Sequence, residues 1–174
     1  MDNSAYGADL SLNHGAVVHI HMQDDSVTSV TSIYRWDSKD SHKLSLKSTP
    51  SEIYRTVREI FLAVLPPANS LVAVDFASQS VYWRTKKIFV VQMGLFMGML
   101  YSEFKNHTST ISFVIPKDLR EYFNQPATMA KQEFQEYALM LFPPPPVFLT
   151  WATEDDIDAY ILAIYIILKG KQNT

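Results

Sequence analysis

Four carboxylates stand at positions where a carboxylate needs a reason. Asp9 lies inside Gly7-Ala8-Asp9-Leu10-Ser11-Leu12-Asn13-His14-Gly15, whose alternation on either side of the acid reads as a strand. Asp75 ends the apolar run Ser70-Leu71-Val72-Ala73-Val74-Asp75. Asp155 and Asp158 open the last apolar stretch, three residues apart and so on one face of a helix. A buried unpaired charge is unfavourable, so an acid inside a strand is normally paired, hydrogen-bonded or holding a metal. Carboxylates gathered in one place repel one another, and such a cluster makes sense mainly as a metal site. Hard cations such as Mg²⁺ take oxygen ligands and keep several waters. Two of them, roughly 3.5–4 Å apart, activate a water and stabilise the leaving oxygen of a phosphodiester. Each acid also has an ordinary reading. Asp9 could accept backbone hydrogen bonds near a strand end, and Asp75 could be a turn residue. Asp155 and Asp158 could simply complement a helix dipole, and Glu154 and Asp156 are expected to do no more than that.

The elements that must position these acids follow from pattern. Ala5 to Leu12, Ala16 to Gln23 and Ser26 to Trp36 read as three strands, with Gly15 and Asp24-Asp25 at the reversals. Their short connections predict an antiparallel meander. Thr49-Pro50-Ser51-Glu52 is a helix start, followed by Ile53, Val57, Ile60, Phe61 and Val64 at helical spacing and ended by Pro66-Pro67. The run ending at Asp75 then reads as a buried strand reached by a parallel crossover. A long helix is expected over 81–104, a strand over 110–115 closed by Pro116, and helices over 117–123 and 128–141. Pro143 to Pro146 reads as a stiff polyproline spacer, and the last helix runs from Thr153-Glu154-Asp155-Asp156 to about Lys169. This order suits one α/β domain over 1–174, a mixed five-stranded sheet with helices on both faces. The first and fourth strands can then be neighbours, with Asp9 and Asp75 at one edge of the core and the last helix beside them.

Composition bounds the reading. Hydrophobic residues make up 47% and charged ones 19%, so the chain is globular rather than disordered. Absence of cysteine excludes a disulfide framework and thiolate metal ligands. It suits a cytoplasmic protein, as does the lack of a signal-peptide pattern. The apolar runs 88–101 and 157–168 fall short of the ~20 residues that cross a bilayer. They read as buried helices, and no membrane association is expected. The net charge of −3 argues against a nucleic-acid partner. Setting aside the four carboxylates brings it to +1, and two divalent cations would neutralise them. His19 and His21 share a strand face but lack a third ligand, so they are taken as ordinary strand residues.

The chain resembles the RuvC-like Holliday junction resolvases of the RNase H-like superfamily. The resemblance rests on Ala8-Asp9-Leu10-Ser11-Leu12-Asn13-His14, on Val72-Ala73-Val74-Asp75, and on Asp155-Asp156-Ile157-Asp158-Ala159. Gln92-Met93-Gly94, Ser112-Phe113-Val114-Ile115-Pro116 and Ala130-Lys131 fall between them in the family's order. Each motif is weak alone, and their order is the more specific signal. The resemblance implies an RNase H-like fold and a homodimeric endodeoxyribonuclease. Such an enzyme resolves four-way DNA junctions by paired symmetrical cuts, using two ions of Mg²⁺ per site, with Mn²⁺ substituting. It implies that Asp9, Asp75, Asp155 and Asp158 hold the metals and that Lys131 acts beside the scissile phosphate. Arg84, Lys86, Lys87 and Lys117 join Lys131 as candidate DNA contacts, each adding salt dependence. Gly94 and Gly98, four apart on the long helix, fit close approach of another helix, within the chain or across a dimer. The family usually carries Glu where this chain has Asp75, which keeps the charge and shortens the reach. Its aromatic wedge is replaced by Ser78, with Phe76, Tyr82 or Trp83 as substitutes or as core residues. Two other functions compete: a less selective nuclease for forks and flaps, and a non-catalytic module that binds branched DNA or a protein. Four retained acids argue against the last.

Overall fold

A computed structural model of the chain describes residues 3–11, 14–36, 44, 47–68, 70–75, 87–107 and 110–172. Strands β1 (Ser4–Leu10), β2 (Gly15–Gln23) and β3 (Ser26–Trp36) come first. Then follow α1 (Pro50–Val64), β4 (Leu71–Asp75), α2 (Lys87–His107), β5 (Thr110–Val114), α3 (Pro116–Tyr122), α4 (Lys131–Leu141), α5 (Pro146–Leu149) and α6 (Glu154–Gln172). The sheet order is β3-β2-β1-β4-β5. β1, β2 and β3 pair antiparallel, and β4 runs parallel to both β1 and β5. The expected mixed five-stranded sheet is therefore present. Asp24 and Asp25 turn the second hairpin with φ of 50° and 60°, the left-handed pair that matches strand twist in a two-residue loop.

Alternation along the strands sorts side chains onto two faces. Ala5, Val18, Ile20, Met22 and Ala73 pack with α6 and with Leu119, Phe134, Ala138 and Phe148. Tyr6, Ala8, Leu10, Val17, Val72 and Val74 pack with Ile53, Val57, Ile60 and Phe61 of α1 and with Met93, Phe96 and Leu100 of α2. Both apolar runs thus serve as core helices, and no described helix is long and apolar enough to cross a membrane. Asp9 and Asp75 follow Gly7 and Ala73 by two residues, so the same alternation turns both toward α6. They stand one position beyond the paired Ala8 and Val74, at the C-terminal ends of adjacent parallel strands.

α6 lies hard against β1. A Cβ on Gly7 would overlap the Ala159 carbonyl oxygen and lie 2.7 Å from the Ala163 nitrogen. The obstacle is backbone, which cannot rotate away. We therefore expect Gly7→Ala to cost about 3 kcal/mol or more, read as a lowered urea midpoint. An unchanged midpoint would mean that α6 sits further from the sheet.

α1 starts as its sequence predicts. The Thr49 hydroxyl accepts from the Glu52 amide at 3.3 Å, and the Glu52 carboxylate accepts from the Thr49 amide at 2.6 Å, a capping box behind Pro50. Two expectations need correction. The helix expected from Thr128 begins at Lys131, because residues 126–129 form a turn and Ala130 is extended, at φ −60° and ψ 149°. Only part of the proline run is extended: Pro145 keeps φ −52° and ψ 137°, whereas Pro146 opens the short α5, where its missing N–H costs nothing. The helix expected from Val81 is described only from Lys87, and residues 81–86 lie outside the described residues, as does Leu12 at the end of the expected first strand.

Candidate active site

α6 starts at the sheet edge where β1 and β4 end, and its first turns bring Asp155 and Asp158 to Asp9 and Asp75. Lys131 arrives from the start of α4 and Arg120 from α3. A cavity of about 580 Å³ is lined by all four proposed acids together with His14, Arg120, Lys131, Glu154 and the apolar Leu119, Phe134 and Leu162. The four acids thus come from three separate stretches of chain to one opening, and Leu119, Arg120, Lys131 and Phe134 come from a fourth.

Electrostatics report the same convergence. The Asp9 carboxyl is pushed up to about 8, first by burial, then by Asp75, Asp158 and Asp155, with Lys131 pulling the other way. Among the described residues no hydrogen bond counters this shift. Near neutral pH Asp9 therefore holds a proton that an ordinary aspartate would have lost.

The other acids are tied in place. Asp155 Oδ2 lies 2.9 Å from His14 Nδ1. Asp158 Oδ1 accepts from Gln135 Nε2 at 2.8 Å, and its Oδ2 lies 2.6 Å from Lys131 Nζ. Lys131 Nζ is also 2.6 Å from Glu154 Oε1. Burial works against the Lys131 charge, yet its bonds to Asp158 and Glu154 outweigh burial and hold the ammonium above the usual lysine range. In return the Lys131 hydrogen bond holds the Glu154 carboxyl below the usual range.

The donor set fits a hard divalent cation in type and charge, since all four proposed ligands are carboxylates. It is not a ready-made cage: among the described residues no three of His, Cys, Asp or Glu gather closely enough to hold an ion. At Asp158 both oxygens are engaged, Oδ1 by Gln135 and Oδ2 by the Lys131 ammonium.

Several residues differ from their sequence reading. Glu154 does more than complement a dipole, because it holds Lys131 in an ion pair. Asp156 is fully buried and makes two bonds to Arg35, Nε to Oδ1 at 2.8 Å and Nη2 to Oδ2 at 2.7 Å. It also accepts from the Thr153 amide and hydroxyl at 2.8 and 2.6 Å. Lys117 is exposed, 3.6 Å from Glu121, and does not line the cavity. Arg84, Lys86 and the Lys87 side chain lie outside the described residues, with Phe76, Ser78, Tyr82 and Trp83.

Sequence reading missed His14, Arg120 and Gln135. His14 closes the first-strand motif, and that position was its only signal. Arg120 donates through Nη1 to the Pro116 carbonyl at 3.1 Å and lies over the Phe134 ring at 5.5 Å. Its Nε is buried without a hydrogen-bond partner among the described residues.

Known structures share this fold. RuvC of Thermus thermophilus is 14% identical, with 98% of this chain and 97% of that one covered and a TM-score of 0.64. T. thermophilus RuvC in complex with a Holliday junction substrate is 13% identical over 98% and 96% of the two chains, with a TM-score of 0.63. The fold is RNase H-like, of the RuvC type. The yeast mitochondrial Holliday junction resolvase Ydc2 has the same RuvC-type fold, at 16% identity over 97% of this chain and 81% of that one, with a TM-score of 0.60. No protein-family model matches the chain, and no curated protein sequence does.

Proposed function

We propose that this chain is a metal-dependent endonuclease that resolves four-way DNA junctions by paired symmetrical cuts. The observation that carries the reading is the convergence of Asp9, Asp75, Asp155 and Asp158, from three distant stretches, on one cavity where the other three raise the pKa of Asp9. In this reading those four carboxylates hold two Mg²⁺ ions, with Mn²⁺ substituting. Bound there, the ions supply an activated water and charge stabilisation at the leaving oxygen of a phosphodiester. To hold a cation Asp9 would have to give up its proton to solvent, because carboxylate ligands bind deprotonated. His14 and Gln135 fix the orientation of Asp155 and Asp158, as partners of ligating carboxylates do. Lys131 and Arg120 bind phosphate oxygens at the cavity. Arg120 lines the cavity, and a planar guanidinium suits a directional contact with phosphate oxygens.

Junction resolution by paired cuts needs two copies of the chain. Support comes from α2, where Val91 and Leu95 are exposed and a Cβ on Gly94 or Gly98 would meet no described residue within 4 Å. That open small-residue face suits a second copy. The TM-scores to a junction-bound RuvC and to a resolvase favour four-way DNA over a protein-binding module.

The deciding experiment incubates labelled four-way, fork, flap and linear DNA with purified protein and Mg²⁺. Symmetrical nicks in the four-way junction support the proposal, equal cutting of forks and flaps supports the less selective nuclease, and binding without cutting overturns catalysis. Within the same assay, Arg120→Ala is expected to reduce cleavage by about 10²-fold, in line with loss of one preorganised charged donor. Arg120→Lys should recover only part, since a lysine cannot make that planar contact. Unaltered rates in Arg120→Ala would remove the guanidinium from phosphate binding.

A further inference from the structure

Lys131 sits between two carboxylates of α6 that have different surroundings. Glu154 and Asp158 are four residues apart and so share one face of the helix. Lys131 Nζ lies 2.6 Å from an oxygen of each. Glu154 is at the mouth, its side chain 65% exposed, whereas Asp158 is deeper, at 22%. The Asp158 oxygen that meets Nζ is Oδ2; its other oxygen is held by Gln135. The lysine backbone is fixed as the first residue of α4, and its four-carbon stem lets the ammonium pivot about that anchor.

We infer that Lys131 is a resident counter-cation that occupies Asp158 Oδ2 until a divalent ion takes that oxygen, and that Glu154 is the positioning residue that receives the displaced ammonium. The inference deepens the metal reading above and rests on it. A cation that binds Asp158 Oδ2 must first move Nζ away. With Glu154 in place the ammonium keeps one ion pair after the move, so the exchange loses little. Without Glu154 the ammonium has Asp158 as its remaining ion-pair partner among the contacts described above, and the cation competes against it directly. Glu154 thus favours cation binding without touching the cation, and it acts only through Lys131.

This dependence gives a four-way test on DNA-free protein. Calorimetric titration with Mn²⁺ compares wild type, Glu154→Gln, Lys131→Met and the double variant, with thermal melts confirming that each is folded. Glu154→Gln is expected to weaken Mn²⁺ binding by about fivefold and Lys131→Met to tighten it by about fivefold, the scale of a partly exposed ion pair. The double variant should match Lys131→Met, because Glu154 has nothing left to receive. Glu154→Asp, which keeps an acceptor, should recover much of the wild-type affinity. If Glu154→Gln weakens binding equally with and without Lys131, Glu154 acts as a ligand or a general negative charge and the exchange is wrong. Equal affinities in all four proteins would also overturn it while leaving the metal site standing. No Mn²⁺ binding by either wild type or Lys131→Met would overturn the exchange and the metal reading together.

Discussion

Asp9→Asn is expected to abolish junction cleavage, by about 10³-fold or more, while making the metal-free protein more stable at pH 8. The two effects have one cause. The folded protein holds the Asp9 proton up to about pH 8, against 3.8 for an ordinary aspartate. Below pH 4 both folded and unfolded chains carry the proton, and Asp9 is neutral to stability. Between pH 4 and 8 the unfolded chain has lost the proton and the folded chain has kept it, so stability falls as pH rises. Above pH 8 the penalty is complete, because the folded chain must also ionise a carboxylate that is buried and stands beside Asp75, Asp158 and Asp155. Asparagine removes that penalty. Linkage over a shift of this size allows a gain of up to about 5 kcal/mol at pH 8 and almost none at pH 4, read from urea unfolding in the presence of a chelator. Saturating Mg²⁺ should flatten the pH dependence of the wild type, since the cation replaces the proton. A variant that lost cleavage and was also destabilised at pH 8 would show that the Asp9 carboxylate is a structural acceptor, and the convergence of charge would have to be abandoned.

That convergence was legible from the chain because it depends on simple periods. Strand alternation fixes the face on which Asp9 and Asp75 stand, and parallel pairing of β1 with β4 brings their ends together. A three-residue interval fixes the shared face of Asp155 and Asp158. What local pattern does not carry is which acid meets which base. Asp155 and Asp156 are neighbours in one helix turn and look alike in sequence. One faces the cavity and meets His14, 141 positions away; the other is buried against Arg35, 121 positions away. Both partnerships are products of tertiary packing. The start of α4 escaped for a related reason: residues 128–130 are compatible with helix, and the turn that follows Pro126 decides otherwise. Arg120 carries no periodic signal at all, and only its buried Nε marks it out.

Asp156 therefore offers the sharpest contrast with its neighbour. Asp156→Ala is expected to cost about 3 kcal/mol, and Arg35→Ala about 4 kcal/mol, because each leaves one partner of a buried pair uncompensated. The asymmetry follows from exposure. Arg35 is 36% exposed and can regain water when Asp156 is removed, whereas Asp156 is 0% exposed and cannot when Arg35 is removed. Loss of the Thr153 contacts adds the cost of a missing helix cap to Asp156→Ala, about 1 kcal/mol, which narrows the gap without reversing it. The Arg35 guanidinium also packs over the Trp151 ring at 4.6 Å, a contact that Asp156→Ala retains. The Arg35→Ala/Asp156→Ala double variant should be less destabilised than the two single losses added together, since the charge each single variant strands is then gone. Asp155→Ala, by contrast, should change stability by less than about 1 kcal/mol, the scale of a partly exposed ion pair, and lose cleavage. If Asp155→Ala proved the more destabilising and Asp156→Ala the less active of folded variants, the roles of the two neighbours would be exchanged. α6 would then present a different face to the sheet edge, and Asp158, three residues on from Asp155, could no longer reach the cavity.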